Sequence, residues 1–247
     1  MFHKHILEQC SNRVKMVLMA TRAQRTERRT DALSKERIVE AAIEILDADG
    51  ESALTFRVLA ARLATGAGAI YWHVASKNDL LATAADDVIA RVMTEVVSGA
   101  SGISGSEPRE AIRAIASGVF DAIDTHPWVG AQLSREPWQS AMLQIFEGVG
   151  GQLQALGVPG PAQFDCASAL VNYVLGLAGQ YAAAARLLPR DTDRSAFLAT
   201  IAARWAQLDP AEYPFMRRAA TQLPEHDDRE QFLAGIDLIL AGITTVR

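Results

Sequence analysis

Thr55–Lys77 reads TFRVLAARLATGAGAIYWHVASK, and the fold follows from how this stretch is punctuated. Thr55 carries an oxygen that can accept from the unpaired N–H groups of a first helical turn, so it reads as an N-cap. Behind it Leu59 and Leu63 lie four apart with Ala60 beside them, the apolar stripe of a short helix. Ala64-Thr65-Gly66 makes a tight turn. A second short helix then runs to about Val74, with Ala67, Ile70 and Val74 as its inward stripe. Gly68, Ala69, Trp72 and His73 are thereby turned outward. Ser76-x-x-Asp79 is a capping box that opens a long helix, and the period continues through Leu81, Ala84, Val88, Val92 and Val96.

Two short helices joined by a tight turn read as a helix-turn-helix, whose second helix enters the major groove while the first crosses the backbone. That task needs small residues where the entering helix begins and donors around them. Ala67, Gly68 and Ala69 permit close approach. His73 can donate to a base acceptor or a phosphate, and Tyr71 and Trp72 can donate through the hydroxyl and the indole N–H. Lys77 stands where a long helix starts, so its ammonium and the free N–H groups suit a phosphate. Arg57, beside Thr55 and Phe56 at the start of the first helix, is placed to grip the backbone or reach a base. Adjacent aromatics on a short helix are more often core, but here Ile70 and Val74 already fill the inward stripe. A nucleotide loop at Gly66 and Gly68 would need a preceding strand and a following Lys-Ser/Thr, and neither is present.

Upstream, Ser34–Asp49 reads as an amphipathic helix. Ser34 caps it, Glu36 suits its positive start, Ile38, Ala42, Ile45 and Leu46 share a face, and Gly50 stops it. Residues 1–33 show no period and read as a flexible basic arm. Residues 1–77 hold 12 Lys+Arg against 9 Asp+Glu, whereas residues 78–247 hold 12 against 20. A basic front on an acidic body calls for an anionic partner at the front only. Downstream, SGASGISGSE at 98–107 is the most linker-like segment. The chain therefore divides into the arm (1–33), a helix-turn-helix unit (34–80) with a connecting helix (76–97), and a second domain (98–247).

The second domain reads helical throughout, interrupted at His126-Pro127, Pro137, GVPGP (157–161), Pro210 and Pro224. No run alternates strictly, so the expectation is an all-α protein of nine to ten helices. Residues 166–185 carry no charge. Asn172, Gln180 and abundant Ala and Gly favour a helix buried in a bundle over a membrane span. Cys10 and Cys166 give no disulfide framework, and the first twenty residues lack the apolar core of a signal peptide, so the expected compartment is the cytoplasm.

The elements AAIEILDADG (41–50), LTFRVLAARL (54–63) and AIYWHVASKNDLL (69–81) resemble the N-terminal domain of the tetracycline-repressor (TetR) family of bacterial transcription regulators. The string Tyr71-Trp72-His73-Val74, with Ser76-Lys77 following, is most similar to the tetracycline-repressor branch. The resemblance implies that Thr55, Phe56, Arg57, Ala67, Gly68, Ala69, Tyr71, Trp72, His73 and Lys77 meet double-stranded DNA. It implies a homodimer paired through 162–187 and 228–244 as a four-helix bundle, and a repressor released from a near-palindromic operator by a small apolar effector. One departure matters. The family usually has Gly directly after the first of the two helices, where Ala64 stands here. A left-handed Ala costs about 1–2 kcal/mol unless the turn shifts to Gly66.

The second half is similar to the ligand-binding and dimerisation domain of the same family through HPW (126–128), YVLGLAGQ (173–180) and GIDLIL (235–240). Trp128, Trp138, Phe146, Asn172, Tyr173, Gln180 and Trp205 are its candidates for contact with a drug-sized effector. His126 and Glu147 are the only candidates for a metal that assists ligand binding, and the reading includes no metal and no cofactor. There is no G-x-S-x-G and no H-E-x-x-H, and Cys166 lies in an apolar helix, so a regulator is expected rather than an enzyme. Two other classes stay open: a helical interaction or ligand-binding module without DNA binding, and a helical enzyme that modifies small molecules. Undetectable binding across a genomic fragment library would favour the first, and turnover of a co-purifying compound the second.

Overall fold

The computed structural model describes residues 33–98, 107–135, 139–187 and 193–245. The described residues form eleven α-helices, one short 3-10 turn and no strand. In chain order they are α1 (Lys35–Asp49), α2 (Phe56–Arg62), α3 (Ala67–Tyr71), α4 (Lys77–Ser98), α5 (Pro108–Thr125) and α6 (Pro127–Arg135). Then come α7 (Ser140–Ala155), α8 (Gly160–Leu187), α9 (Arg194–Ala206), α10 (Pro214–Ala219), the 3-10 turn (Leu223–Glu225) and α11 (Asp228–Ile243). The arm up to residue 32 and the linker residues 99–106 lie outside the described residues.

The helix starts are chemical. Ser34 Oγ accepts from the Arg37 N–H at 3.3 Å and Thr55 Oγ1 from the Val58 N–H at 3.2 Å, as the sequence reading expects. Ser76 Oγ accepts from the Asp79 N–H at 3.1 Å. Asp79 Oδ2 returns to the Ala75 N–H at 2.9 Å, so this box closes one residue further back than the usual pattern.

Two helix ends share one geometry. After α7, Gly157 adopts φ +77, the Val158 N–H bonds Leu153 O at 3.1 Å and the Gly157 N–H bonds Gln154 O at 3.0 Å. That is the Schellman end, which glycine enters freely. After α2 the same pair of bonds runs from Thr65 to Ala60 (2.9 Å) and from Ala64 to Ala61 (3.2 Å), but the left-handed residue is Ala64 at φ +50. The turn has not moved to Gly66, whose φ is -87. Ala64 carries the strain.

α3 is shorter than its sequence suggests. It stops at Tyr71, and the His73 and Val74 N–H groups both bond Ile70 O, at 2.9 and 3.0 Å. Val74 reaches the core from this turn and Ile70 from the helix, both essentially buried. Ala67 is exposed, which corrects its place on the inward stripe. A five-residue helix completes barely more than one turn, so the i+7 relation no longer holds between its ends.

A single hydrophobic core runs from Ile38 and Leu46 of α1, through Leu81 and Ile89 of α4, to Ile123, Val171 and Phe232 in the rest of the chain. α4 is the shared element: it packs on α1 at one side and on α5, α6 and α7 at the other. α5, α7, α8 and α11 build the body around it, while α9 leans on the 3-10 turn and on α10. The uncharged segment belongs to α8, which buries Cys166, Ala167, Leu170, Val171 and Val174. Among the described residues no helix is long and apolar enough to cross a membrane. On α11, Phe232, Ile236, Leu240 and Ile243 are buried and Ile239 partly so.

Candidate nucleic-acid interface and adjoining cavity

Leu59, Ala60, Ile70 and Val74 lock α2 and α3 together from below. What they leave uncovered is unusual. Trp72 is 90% exposed and Tyr71 58% exposed, with Gly68, His73 and Arg57 also in solvent. Large aromatics are placed in water at a cost unless a partner covers them. Tyr71 is held upright by Phe56, whose ring it meets edge-on at 4.6 Å and 87°. Phe56 is thus a prop for the exposed face. Thr55 spends its hydroxyl on the α2 cap. No added Cβ would meet anything at Gly66 or Gly68, so the surface where α3 begins is open.

Lys77 stands differently from its neighbours. Its Nζ donates to Glu51 O at 2.6 Å, tying the start of α4 to the loop after α1. An ammonium has three donors, so this bond leaves two free. The positive charge of the first 77 residues is also unevenly spread. Residues 33–77 hold five Lys+Arg against six Asp+Glu, and residues 1–32 hold seven against three. One head arginine, Arg62, is committed to Glu44 at 2.5 Å.

The head is bolted to the body through α1. Asp47 Oδ1 accepts from Trp128 Nε1 at 2.8 Å and lies 2.8 Å from His126 Nδ1, both on or beside α6. Arg135, at the far end of α6, pairs with Glu51 at 2.9 Å, and this contact raises the arginine pKa. A carboxylate of α4 reaches the next helix as well: Asp86 Oδ1 accepts from the Ala141 N–H at 2.6 Å, at the start of α7. Burial pushes the Asp86 pKa up, against the lowering effect of that bond.

Behind this joint lies a cavity of about 1130 Å³ between α4, α7 and α8. Its lining includes Met93, Leu143, Phe146, Phe164 and Ala167, with Ser140, Gln144, Glu147 and Gln163 as its polar groups. The volume suits a drug-sized molecule. Phe146 and Phe164 stack at 6.0 Å and 16°. Gly148 of α7 faces Met93 of α4: a Cβ there would sit 2.3 Å from Met93 Cε, so the methionine's terminal methyl would have to move.

Of the seven residues that the sequence offers for ligand contact, the structure brings Phe146 to this cavity. Trp128 is buried in the α1–α6 joint instead. Tyr173 stacks on Phe232 at 5.7 Å and donates to Phe232 O at 3.2 Å. Asn172 and Gln180 are exposed on α8, Trp205 is half-buried on α9, and Trp138 lies outside the described residues. His126 is engaged by Asp47 while Glu147 lines the cavity, and the described residues hold no cluster of three potential metal ligands. Leu143, Gln144, Gln163 and Phe164 also line this cavity and were not among the residues the sequence offered. A signal for part of them exists: α7 buries Ala141, Met142, Ile145 and Val149, yet 140, 143, 144, 147 and 150 repeat at helical spacing on a second face.

Two short helices joined by a tight turn, with an exposed donor face and mounted on a helical body with a cavity, define a helix-turn-helix regulator of transcription. The chain belongs to the tetracycline-repressor family. The family model described as bacterial regulatory proteins, tetR family, matches residues 38–84, and the tetracyclin repressor-like C-terminal domain matches residues 105–247. Among solved structures, the TetR regulator SCO7222 of Streptomyces coelicolor is 49% identical, with a TM-score of 0.76, covering 87% of this chain and 99% of that one. An HTH-type transcriptional regulator of Saccharopolyspora erythraea is 35% identical over 156 residues, 63% of this chain and 64% of that protein's length. The HTH-type transcriptional repressor DrrR1 of Streptomyces coeruleorubidus is 28% identical over 220 residues, 85% of this chain and 77% of that protein.

Proposed function

We propose that the chain is a homodimeric, cytoplasmic transcriptional repressor that holds a near-palindromic DNA operator and lets go when a small, largely apolar effector fills the cavity. The observation that carries this reading is the double role of α4. Its first residue, Lys77, is tied into the head, and Met93, sixteen residues on, forms cavity wall. One helix thus spans the roughly 24 Å between the two sites. A rod that long turns a small shift of the wall into a change in the spacing of two heads about one DNA turn apart.

The DNA contacts in this reading are Arg57, Ala67, Gly68, Ala69, Tyr71, Trp72, His73 and Lys77, with Thr55 and Phe56 as the support of Arg57 and Tyr71. The operative unit is 34–80, followed by a body that senses the effector and dimerises. Dimerisation is assigned to α8 and α11. Asp165, Ala169, Asn172 and Gly176 form an exposed, mostly small-residue stripe on α8, and Leu238 is 75% exposed on α11. No catalytic activity belongs to this reading.

The test is a fluorescence-anisotropy titration of the full chain against the DNA upstream of its own gene. Salt-sensitive binding is expected, and Trp72→Ala should weaken it on the order of tenfold per head, about 1.4 kcal/mol, with an unchanged melting curve. Equal affinity for wild type and for both Trp72→Ala and His73→Ala would remove this face from the interface.

A further inference from the structure

The described residues of the cavity wall carry a single formal charge. We propose that the effector seated there is a planar aromatic cation, lying on the Phe146–Phe164 stack with its positive group against Glu147. This inference rests on the effector reading above. Among the described lining residues Glu147 is the only ionisable one, and it makes no ion pair or hydrogen bond within the described residues. Lysine, arginine and histidine are missing from that described lining.

The neutral polar groups lean the same way. Gln163 Nε2 already donates to Val158 O at 2.9 Å and Gln144 Nε2 to Ser140 Oγ at 3.3 Å. Each amide oxygen is left as an acceptor for a ligand that brings its own donors. Glu147 is itself exposed, so a large apolar molecule lying against it removes only part of its water. A cation offsets that loss by pairing with the carboxylate, an anion is repelled by it, and a neutral ligand gains nothing from it. The near-parallel phenyl rings, 6.0 Å apart, offer the negative faces that attract a cation and the flat surface on which an aromatic stacks. Phe164 is 72% exposed, so its outer area stands ready to be covered.

The experiment is a fluorescence titration of the full chain, without DNA, by three three-ring probes: 10-methylacridinium (a quaternary cation), 1-aminoanthracene (neutral) and anthracene-2-carboxylate (an anion). The acridinium is expected to bind at least about tenfold more tightly than the anion, a preference that fades with added salt. Glu147→Gln should erase the preference and leave 1-aminoanthracene unchanged. Gly150→Leu is the control for location. Gly150 lines the cavity, and a Cβ there meets nothing within 4 Å, so the leucine fills empty space on a helix it favours. That variant should fold, by its melting curve, and lose all three probes. Neutral binding that Gly150→Leu abolishes, with no charge preference in the wild type or none lost in Glu147→Gln, overturns the cation while the effector cavity stands. Failure of every probe to bind overturns both.

Discussion

The head and the body prepare for a partner in opposite ways. The head projects its groups: Arg57 and Tyr71 on short helices and Trp72 and His73 on the turn that follows stand in water, and the buried Leu59, Ile70 and Val74 only hold them there. The body instead keeps a hole, and its chemistry is whatever α4, α7 and α8 leave between them. A projecting surface is set by local chain chemistry, because caps and one apolar stripe decide which side chains are left out. A hole is set by how far apart distant segments come to rest. Errors in the two should therefore differ: a changed side chain deletes a contact in the head, but changes the size or charge of the space in the body.

The largest effect expected outside the contact face itself concerns charge. Residues 33–77 hold five Lys+Arg against six Asp+Glu and residues 1–32 hold seven against three, so the excess of positive charge before the body lies in residues 1–32. A chain beginning at residue 33 should melt as before yet bind operator at least about tenfold more weakly at low salt, with a shallower dependence of log K on log salt. An unchanged slope would show that the projecting face attracts DNA unaided, and would sharpen the contrast with the body further.

This contrast also explains what could be read from the residues alone. Ser34, Thr55 and Ser76 announced the helix starts, and each accepts the N–H its position requires, while Asp79 closes its box on Ala75 instead of Ser76. Ile70 and Val74 announced which aromatics would be left outside. The register failed at Ala67, where one turn of helix is too short to sustain a period. In the body the apolar candidates Trp128 and Tyr173 looked like a pocket because large side chains can serve either purpose. Trp128 went to a joint because its N–H had Asp47 as a partner, a contact 81 residues apart in sequence. Phe164 meets Phe146 only because the turn around Gly157 folds α8 back on α7.

The joint between the two regions is the next place to press. Asp47→Ala removes the acceptor shared by Trp128 Nε1 and His126 Nδ1. Trp128 is buried, so its N–H is left without a partner, at a cost of about 1–3 kcal/mol. For a chain of this size that lowers Tm by roughly 2–4 °C per kcal/mol. Operator affinity should persist, while release by a cavity-bound ligand weakens. If release is untouched, the signal travels along α4 alone.

The two Schellman ends make a smaller and cleaner comparison, one in each region. Ala64→Gly should stabilise the chain by about 1 kcal/mol, because the left-handed residue no longer carries a Cβ. Gly157→Ala should destabilise it by a similar amount. Opposite shifts in thermal melts are the expected result. Equal or parallel shifts would mean that the unfolded chain, rather than the turn, dominates both values.

Smallest of all is a pH effect at Asp86, where the head's helix caps the cavity's. Burial raises the pKa of this carboxyl in the folded chain, so the native state keeps its proton at a pH where the unfolded chain, near pH 4, has begun to lose it. Between those two values the native state binds more protons, and stability therefore falls as pH rises through the folded pKa. Exposed carboxyls act in the other direction: Glu36, lowered by its own backbone N–H and by Ser34, and Asp193, lowered by Ser195 and Ala196, add stability with rising pH. The informative quantity is thus the difference between wild type and Asp86→Asn, which keeps an acceptor for the Ala141 N–H but cannot ionise. Thermal melts from pH 4 to 7 should show the wild type losing ground to the variant as pH rises. Parallel curves would mean that the carboxylate is as well solvated there as in water. A wild type that gains on the variant would mean that the charged cap of α7 outweighs its burial, making the link between head helix and cavity wall an electrostatic one.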